Sequence, residues 1–415
     1  MGSRKKRRIA LFAIISIVLF SMIVLILNIM DFKHRENVRA QIDQYVKLQE
    51  YKQESSLSWA NNAVIGNINK DKIEHIEFTN SWDGIGSKTW LFDGLRCYYK
   101  DGELTIVVGN DLKINGSMKN AFSDLQNLKS INGFNNLDTS EVEDMSYIFK
   151  NCKSLKYINE KEIEMNSVIN AEGMFYGCEK LTELDLSNCN LKKAKNLNKM
   201  FFDCKSLQSL KLPQTEDAIT MISFLENVGQ QAKSYTKVDG NLNTPKLKNI
   251  SMMCKNTSFF DYTFLETIDT KEVVSAVSLF ENSSIETIDL SKWNVSNLVD
   301  IEKMFALCQN LLYANLSNWN VKNIENTHHM FYFCSRMKSV TLSWQCNSSI
   351  KNMNGMFKDC SSLKAIDISC FGSYTHGDIR EFFMNCDNLT TIEGLALNAD
   401  VSDRFLLNAN NIVQN

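Results

Sequence analysis

The chain has 415 residues, 44% of them hydrophobic, with only two prolines and a formal net charge of −3. That composition excludes a disordered or collagen-like chain and suffices for one sizeable core or several small ones stacked in a row. Arg4, Lys5, Lys6, Arg7 and Arg8 hold +5 of the charge, so the remainder carries −3 − 5 = −8, which argues against a nucleic-acid partner.

Residues 1–8 read as a basic cytoplasmic tail. Residues 9–30 continue the chain without a charge. As a helix they span roughly 33 Å at ~1.5 Å per residue, enough for a hydrocarbon core of about 30 Å. The basic cluster keeps the N-terminus inside the cell, so the spacing predicts a single-pass, uncleaved signal-anchor with everything after it extracellular. The alternative is a cleaved leader, although no small-x-small cleavage site comes after the apolar run. Residues 31–68 carry Val38, Ile42, Tyr45 and Val46 at helical spacing and predict a helical stalk. From 70 to 118 the pattern alternates, as in Lys72–Phe78 and Glu103–Gly109, with turn signals at Asp93-Gly94 and Asp101-Gly102. This segment predicts a small β cap over the first coil of the repeat region.

From residue 119 onward the chain is periodic. Ser291-Lys-Trp-Asn-Val295 returns 26 residues later as Ser317-Asn-Trp-Asn-Val321, and Met304-Phe305 returns as Met330-Phe331. Repeat phenylalanines stand at 122, 149, 175 and 201, then at 280, 305, 331, 357 and 383. A fixed period of this length marks a solenoid. Leu181-Thr-Glu-Leu-Asp-Leu-Ser-Asn-Cys-Asn-Leu191 fits the leucine-rich pattern at each specified place. Its Leu-x-Leu part predicts a short strand, and Ile301, Met304 and Phe305 at i, i+3 and i+4 predict a short helical turn. The fold class expected is an α/β repeat solenoid of leucine-rich type with about ten coils. Short parallel strands stack along one face and helical turns along the other, with regular repeats at 119–212 and 263–395. Residues 213–262 hold both prolines and read as shortened or distorted repeats, in which Phe224 and Phe260 stand as degenerate repeat positions. Residues 396–415 read as a C-terminal cap or tail.

The run Asp289-Leu-Ser-Lys-Trp-Asn-Val-Ser-Asn297, then Met304-Phe-Ala-Leu-Cys-Gln-Asn-Leu311, resembles the BspA-type leucine-rich-repeat surface proteins of bacteria. Asn136–Phe149 resembles the usual opening of that family's unit. The likeness covers about residues 70–395. It implies an extracellular solenoid that binds host, matrix or neighbouring-cell surfaces.

Little in the sequence suggests catalysis. No Gly-x-Ser-x-Gly, His-Glu-x-x-His or phosphate-binding glycine loop occurs, so the chain is read as a non-enzyme that needs no cofactor and no metal. Seven cysteines, three residues after repeat phenylalanines, read as buried thiols filling a small interior slot. Trp293 and Trp319 read as packing groups rather than ligand-stacking ones. The column between the two strand leucines reads Asn159, Asp185, Lys211, Asp269, Asp289, Asn315, Thr341, Asp367 and Glu393. Stacked in register, these residues form a ladder about 5 Å apart on an exposed face. The ladder either meets a partner or simply keeps a solvated sheet polar. The partner-binding candidates are Tyr157, Asp185, Asp289, Tyr313, Asn315 and Asp367, because aromatics are enriched at interface hot spots. The expected function is adhesin-like binding of a protein or glycan on another cell, matrix or envelope. The alternative is a structural envelope component that packs on itself or on wall polymer.

Overall fold

A computed structural model describes residues 64–65, 68–81, 89–92, 95–108, 113–159, 163–266, 268–344, 349–371 and 377–394. All of them lie in the second of two units, Glu50–Asn415. The basic tail, the apolar stretch 9–30, the stalk before Val64 and the tail 396–415 lie outside the described residues. Among the described residues, no helix is long and apolar enough to cross a membrane.

The first strands, β1 (Val64–Ile65) and β2 (Ile68–Asn69), pair antiparallel at the end of the stretch read as stalk. The cap continues as β3 (His75–Thr79), β4 (Thr89–Phe92), β5 (Leu95–Lys100) and β6 (Glu103–Val107). Next come β7 (Lys113–Ser117), β8 (Ser130–Asn132) and β9 (Asp138–Asp144). The cap sheet has the order β4-β5-β6-β3-β8. β8 supplies its last strand by pairing parallel with β3, so the cap is hydrogen-bonded directly to the first coil. Terminal coils of a solenoid need such a cover, because their apolar edge would otherwise face water. The alternation in β3 works as the sequence implies: Ile76 and Phe78 are buried and Glu77 is exposed.

Beyond the cap the chain winds into a parallel β-solenoid of about 11 turns, with the tandem ~26-residue repeats as its units. The strand positions are β10 (Glu183–Asp185), β12 (Ser209–Lys211), β14 (Lys237–Asp239), β15 (Thr287–Asp289), β16 (Tyr313–Asn315), β17 (Ser339–Thr341), β18 (Ala365–Asp367) and β19 (Thr391–Glu393), with β11 (Asn190–Leu191) and β13 (Gln214–Thr215) on a second side. These strands form separate parallel sheets, β10-β12-β14, β11-β13, β15-β16-β17 and β18-β19.

The most continuous ladder lies on the side for which the spacing predicts helical turns. Single bridges link 144, 170, 196, 220, 249, 275, 300, 326, 352 and 378 in one unbroken parallel series. The residues after each bridge form successive turns and no helix. Two positions per coil, four residues apart, take left-handed backbone, as at Lys303 (φ 55°) and Leu307 (φ 62°). An α-helix cannot hold such residues, and the amides here bond to the next coil instead, as Phe305 N–H does to the Met330 carbonyl at 2.8 Å. The i, i+3, i+4 spacing therefore reports burial correctly and backbone incorrectly. Gly173 shows how tightly the coils meet: a Cβ there would collide with the Tyr147 ring.

The same backbone bonds correct the register of the irregular middle. Phe201 N–H donates to the Phe224 carbonyl, Leu225 N–H to Met253 and Cys254 N–H to Leu279. Leu225 and Cys254 thus fill the phenylalanine column, and Phe224 takes the slot that Met200 and Met304 hold elsewhere. The 79 residues from Phe201 to Phe280 divide into coils of 24, 29 and 26. Phe260 is no repeat position, being 73% exposed.

In the regular coils the core repeats similar ring contacts. Phe280, Phe305, Phe331 and Phe357 stack face to face at 5.1, 5.2 and 5.2 Å. The cysteine slot is buried, and its thiols donate backward to the phenylalanine carbonyl of the preceding coil, as Cys308 Sγ does to Phe280 at 2.9 Å. Cys152, Cys178, Cys204, Cys308, Cys334, Cys360 and Cys386 of this slot are thiols, and burial pushes Cys308 up to about 12. Trp293, Trp319 and Trp344 are buried, and each indole N–H donates to a carbonyl one coil back, at Leu265, Leu290 and Leu316. They pack and do not stack on a ligand.

Candidate functional site

A solenoid coil hides its Leu-x-Leu side chains and must turn outward the residues between and beside them. In β15 to β17 this places two columns on the surface: Thr287, Tyr313 and Ser339, and beside them Asp289, Asn315 and Thr341. The same two columns pass through Glu183, Ser209 and Lys237 and through Asp185, Lys211 and Asp239 in the earlier sheet. Asp239 therefore stands at the place that the sequence assigns to Asp269. Asp269 accepts from the Lys271 amide in a turn one side further on, like Asn294 with Ser296.

The polar column has a local task. Asp185, Asp289, Asn315 and Asp367 each accept the backbone N–H two residues ahead, at Ser187, Ser291, Ser317 and Ser369. Asp and Asn are favoured at such places because a short side-chain oxygen reaches its own backbone and closes the turn. Between coils, Lys211 Nζ sits 2.7 Å from Asp185 Oδ2, and Asn315 Nδ2 sits 3.1 Å from Asp289 Oδ2. The hydrogen bond from Lys211, aided by those from Ser187, holds Asp185 down at about 2. Asp289 and Asp367 are also lowered, mainly by hydrogen bonds from Ser291 and Ser369.

These shifts predict acid lability. A carboxyl whose folded pKa lies below its unfolded value of about 3.8 stabilises the fold above that value. That stabilisation is lost as pH falls through the folded value. Thermal melts of the protein are expected to shift downward from about pH 4 to about pH 2. In Asp185→Asn, which keeps a turn-closing oxygen, part of that slope should disappear. An unchanged slope would show that the Asp185 interactions contribute nothing to folding.

Of the six partner-binding candidates, the structure gathers Asp289, Tyr313 and Asn315 in one place. Tyr157 is 58% exposed but lies on an earlier coil, Asp185 is on β10, and Asp367 is on β18, in a separate sheet. The gathering place is a groove of about 490 Å³ on the strand face. Its floor is residues 284–289, with Tyr313–Asn315, Ser339 and Thr341 beside them, and its wall is Phe259–Thr263 with Tyr235 and Glu266. Tyr235 is 52% exposed, Tyr313 is 45% exposed and Phe260 stands further out than either.

The wall exists because one coil fails to make its strand. Phe260 N–H still bonds the Thr236 carbonyl, but Asp261 then accepts from Thr263 and closes a turn, and a 3-10 turn runs over Thr263–Leu265. Among the described strands, β15 consequently pairs with β16 alone. Sequence reasoning missed Tyr235, Phe260, Asp261, Glu266 and Glu286, since four of them fall in or next to the stretch without legible register. One signal was available: Phe259-Phe260 in extended chain must point to opposite sides, so one of the two rings had to face water. The described residues contain no group of three or more His, Cys, Asp or Glu side chains able to hold a metal ion.

No curated protein matches the chain. Among solved structures, a leucine-rich repeat protein from Bacteroides ovatus aligns with 76% of this chain and 84% of its own, at 17% identity and a TM-score of 0.36. The TLR13-ssRNA13 complex aligns with 66% of this chain and 57% of its own, at 15% identity and a TM-score of 0.14. A family model described as "Mycoplasma protein of unknown function, DUF285" matches residues 116–238, 223–344 and 308–403, overlapping segments that run through the whole solenoid. The chain belongs to that family, and its repeats are the tandem units of the solenoid.

Proposed function

We propose that this protein is a membrane-anchored, non-enzymatic cell-surface solenoid that binds a protein or glycan partner in the manner of an adhesin. In this reading residues 9–30 are the single membrane span, the N-terminus is cytoplasmic and the repeats face outward. The observation that carries the binding role is the groove, where Tyr235, Phe260 and Tyr313 hold their rings in water beside a sheet whose other large apolar groups are nearly all buried. Aromatic side chains left exposed beside a concavity are the usual anchors of an interface. Tyr157, Asp185 and Asp367 extend the same face along the solenoid.

The test is binding of detergent-solubilised full-length protein to whole cells and to immobilised extracellular matrix. Replacing Tyr235, Phe260 and Tyr313 together with alanine is expected to weaken that binding by about tenfold or more. Phe333→Ala, on the turn side of the solenoid, should leave it unchanged. A wild-type protein that binds neither surface, and that light scattering shows assembling into ordered polymers, would instead be a structural component of the envelope.

A further inference from the structure

The groove carries a charge pattern that its aromatic rings do not explain. Asp261, Glu266, Glu286 and Asp289 line it, and among its described lining residues there is no lysine, arginine or histidine. On β10 to β14 the lysines of the strand face are matched, Lys211 with Asp185 and Lys237 with Asp239, whereas on β18 and β19 Asp367 and Glu393 stand side by side. Lys338 approaches from outside the lining, with its Nζ 6.0 Å from the centre of the Tyr313 ring. Four carboxylates in one concavity raise a negative potential that low-dielectric walls focus. The adjacent rings of Tyr235, Phe260 and Tyr313 offer faces on which a cation is also favourable.

Inner strands of this face have a neighbour on both sides, as β12 does from β10 and β14 and β16 does from β15 and β17, whereas β15 is an edge strand. At the groove a strand on the other side of β15 is missing among the described strands, because residues 261–265 form a turn and a 3-10 turn in place of a strand, with Tyr262, Phe264 and Leu265 still buried in the core. Six consecutive residues containing β15, Ser284 to Asp289, line the groove along this side. Strand edges of this kind pair readily with an added chain, whose alternate side chains then fall on one face.

We infer that the groove receives an extended, lysine- or arginine-bearing polypeptide segment laid along β15. Its cationic side chains meet Asp261, Glu286 and Asp289, and its backbone takes the place of the missing strand. This rests on the partner-binding reading and specifies the partner as a basic polypeptide.

The probe is a fluorescein-labelled peptide of five Lys-Thr repeats, titrated by anisotropy against detergent-solubilised full-length protein. Alternation puts every lysine on one side of an extended chain. A Glu-Thr peptide of equal length tests charge. A Lys-Pro peptide keeps the charge and removes the backbone donors of alternate residues. The protein variant combines Asp261→Asn, Glu286→Gln and Asp289→Asn. The two asparagines preserve turn closure, as Asn315 does in the native chain, and a circular-dichroism melt checks the fold. The Lys-Thr peptide is expected to bind at least about tenfold more tightly than either comparison peptide, and the triple variant to lose about tenfold, the sum of three partly screened charge contacts. Asp359→Asn, away from the groove, should bind as wild type. Equal binding of the Lys-Thr and Glu-Thr peptides, or undiminished binding by the triple variant, overturns the basic-segment assignment. Equal binding of the Lys-Pro peptide overturns the strand addition. If these fail while cells or matrix are still bound through Tyr235, Phe260 and Tyr313, the partner is not a basic strand. If cell and matrix binding fails as well, the adhesin-like reading falls with it.

Discussion

Phe331→Ala is expected to cost about 3–5 kcal/mol of folding stability, the range for removing a fully buried phenylalanine. The ring sits between Phe305 and Phe357, within 8° of parallel to both and 5.2 Å from each. Alanine leaves a void shared by three coils, and none of them can close it alone. Their backbones are tied by ladder bonds such as Phe331 N–H to the Met356 carbonyl at 2.8 Å. Lost dispersion contacts on two sides add to the lost transfer energy. Since each coil contacts mainly its neighbours, the damage should be local. Amide hydrogen exchange is expected to rise most in the coils of Phe305, Phe331 and Phe357 and little near Phe149. Urea denaturation gives the overall loss. A loss below about 1 kcal/mol would mean that the stack relaxes around the gap and that the ladder does not hold the coils together.

Trp319→Ala is expected to cost a similar amount for a different combination of reasons. The indole is wholly buried, lies 6.0 Å from Trp344 with the rings nearly parallel, and donates from Nε1 to the Leu290 carbonyl at 2.8 Å. Truncation opens a cavity worth about 3–5 kcal/mol and also leaves that carbonyl without this donor. Trp319→Phe separates the two contributions. It retains most of the ring and loses the N–H, so its expected cost is nearer to about 1–3 kcal/mol. Denaturation of both variants checks the prediction. If phenylalanine costs as much as alanine, the hydrogen bond to the preceding coil dominates. If phenylalanine costs nothing, only packing matters at this position.

Phe331 and Trp319 are residues that the sequence marks out, and periodicity explains why. In a solenoid each apolar column recurs at one place per repeat, so burial of Phe331, Cys334 and Trp319 is legible from the 26-residue offset. The cap strands are legible for a similar reason, since Ile76 and Phe78 alternate with exposed residues. Backbone conformation is less legible. Ile301, Met304 and Phe305 share a buried side, and that spacing is common to a helical turn and to the turn pair with left-handed Lys303 and Leu307. Only inter-coil hydrogen bonds distinguish the two, and their partners lie on a neighbouring coil, as Met330 does for Phe305.

The face proposed to bind a partner is half legible in the sequence. Asp289, Tyr313 and Asn315 fall where the repeat says outward-facing residues must fall, yet by sequence they have the same standing as Tyr157, Asp185 and Asp367. The neighbouring coil separates them. After Phe260 the chain turns at Asp261 in place of forming a strand, raises a wall beside β15 and brings Tyr235, Glu266 and Glu286 to one concavity. Nothing in the 26-residue period encodes that event, because it consists in the period being broken.

Sequence alone therefore determined that the chain coils and, in the regular coils around Phe122–Phe201 and Phe280–Phe383, which residues line the interior and which columns face water, since those depend on local periodicity and the burial of apolar side chains. Tertiary structure decided which exposed residues become neighbours. That depends on how far one irregular coil departs from the next, a matter of long-range hydrogen bonding that no short window of residues contains.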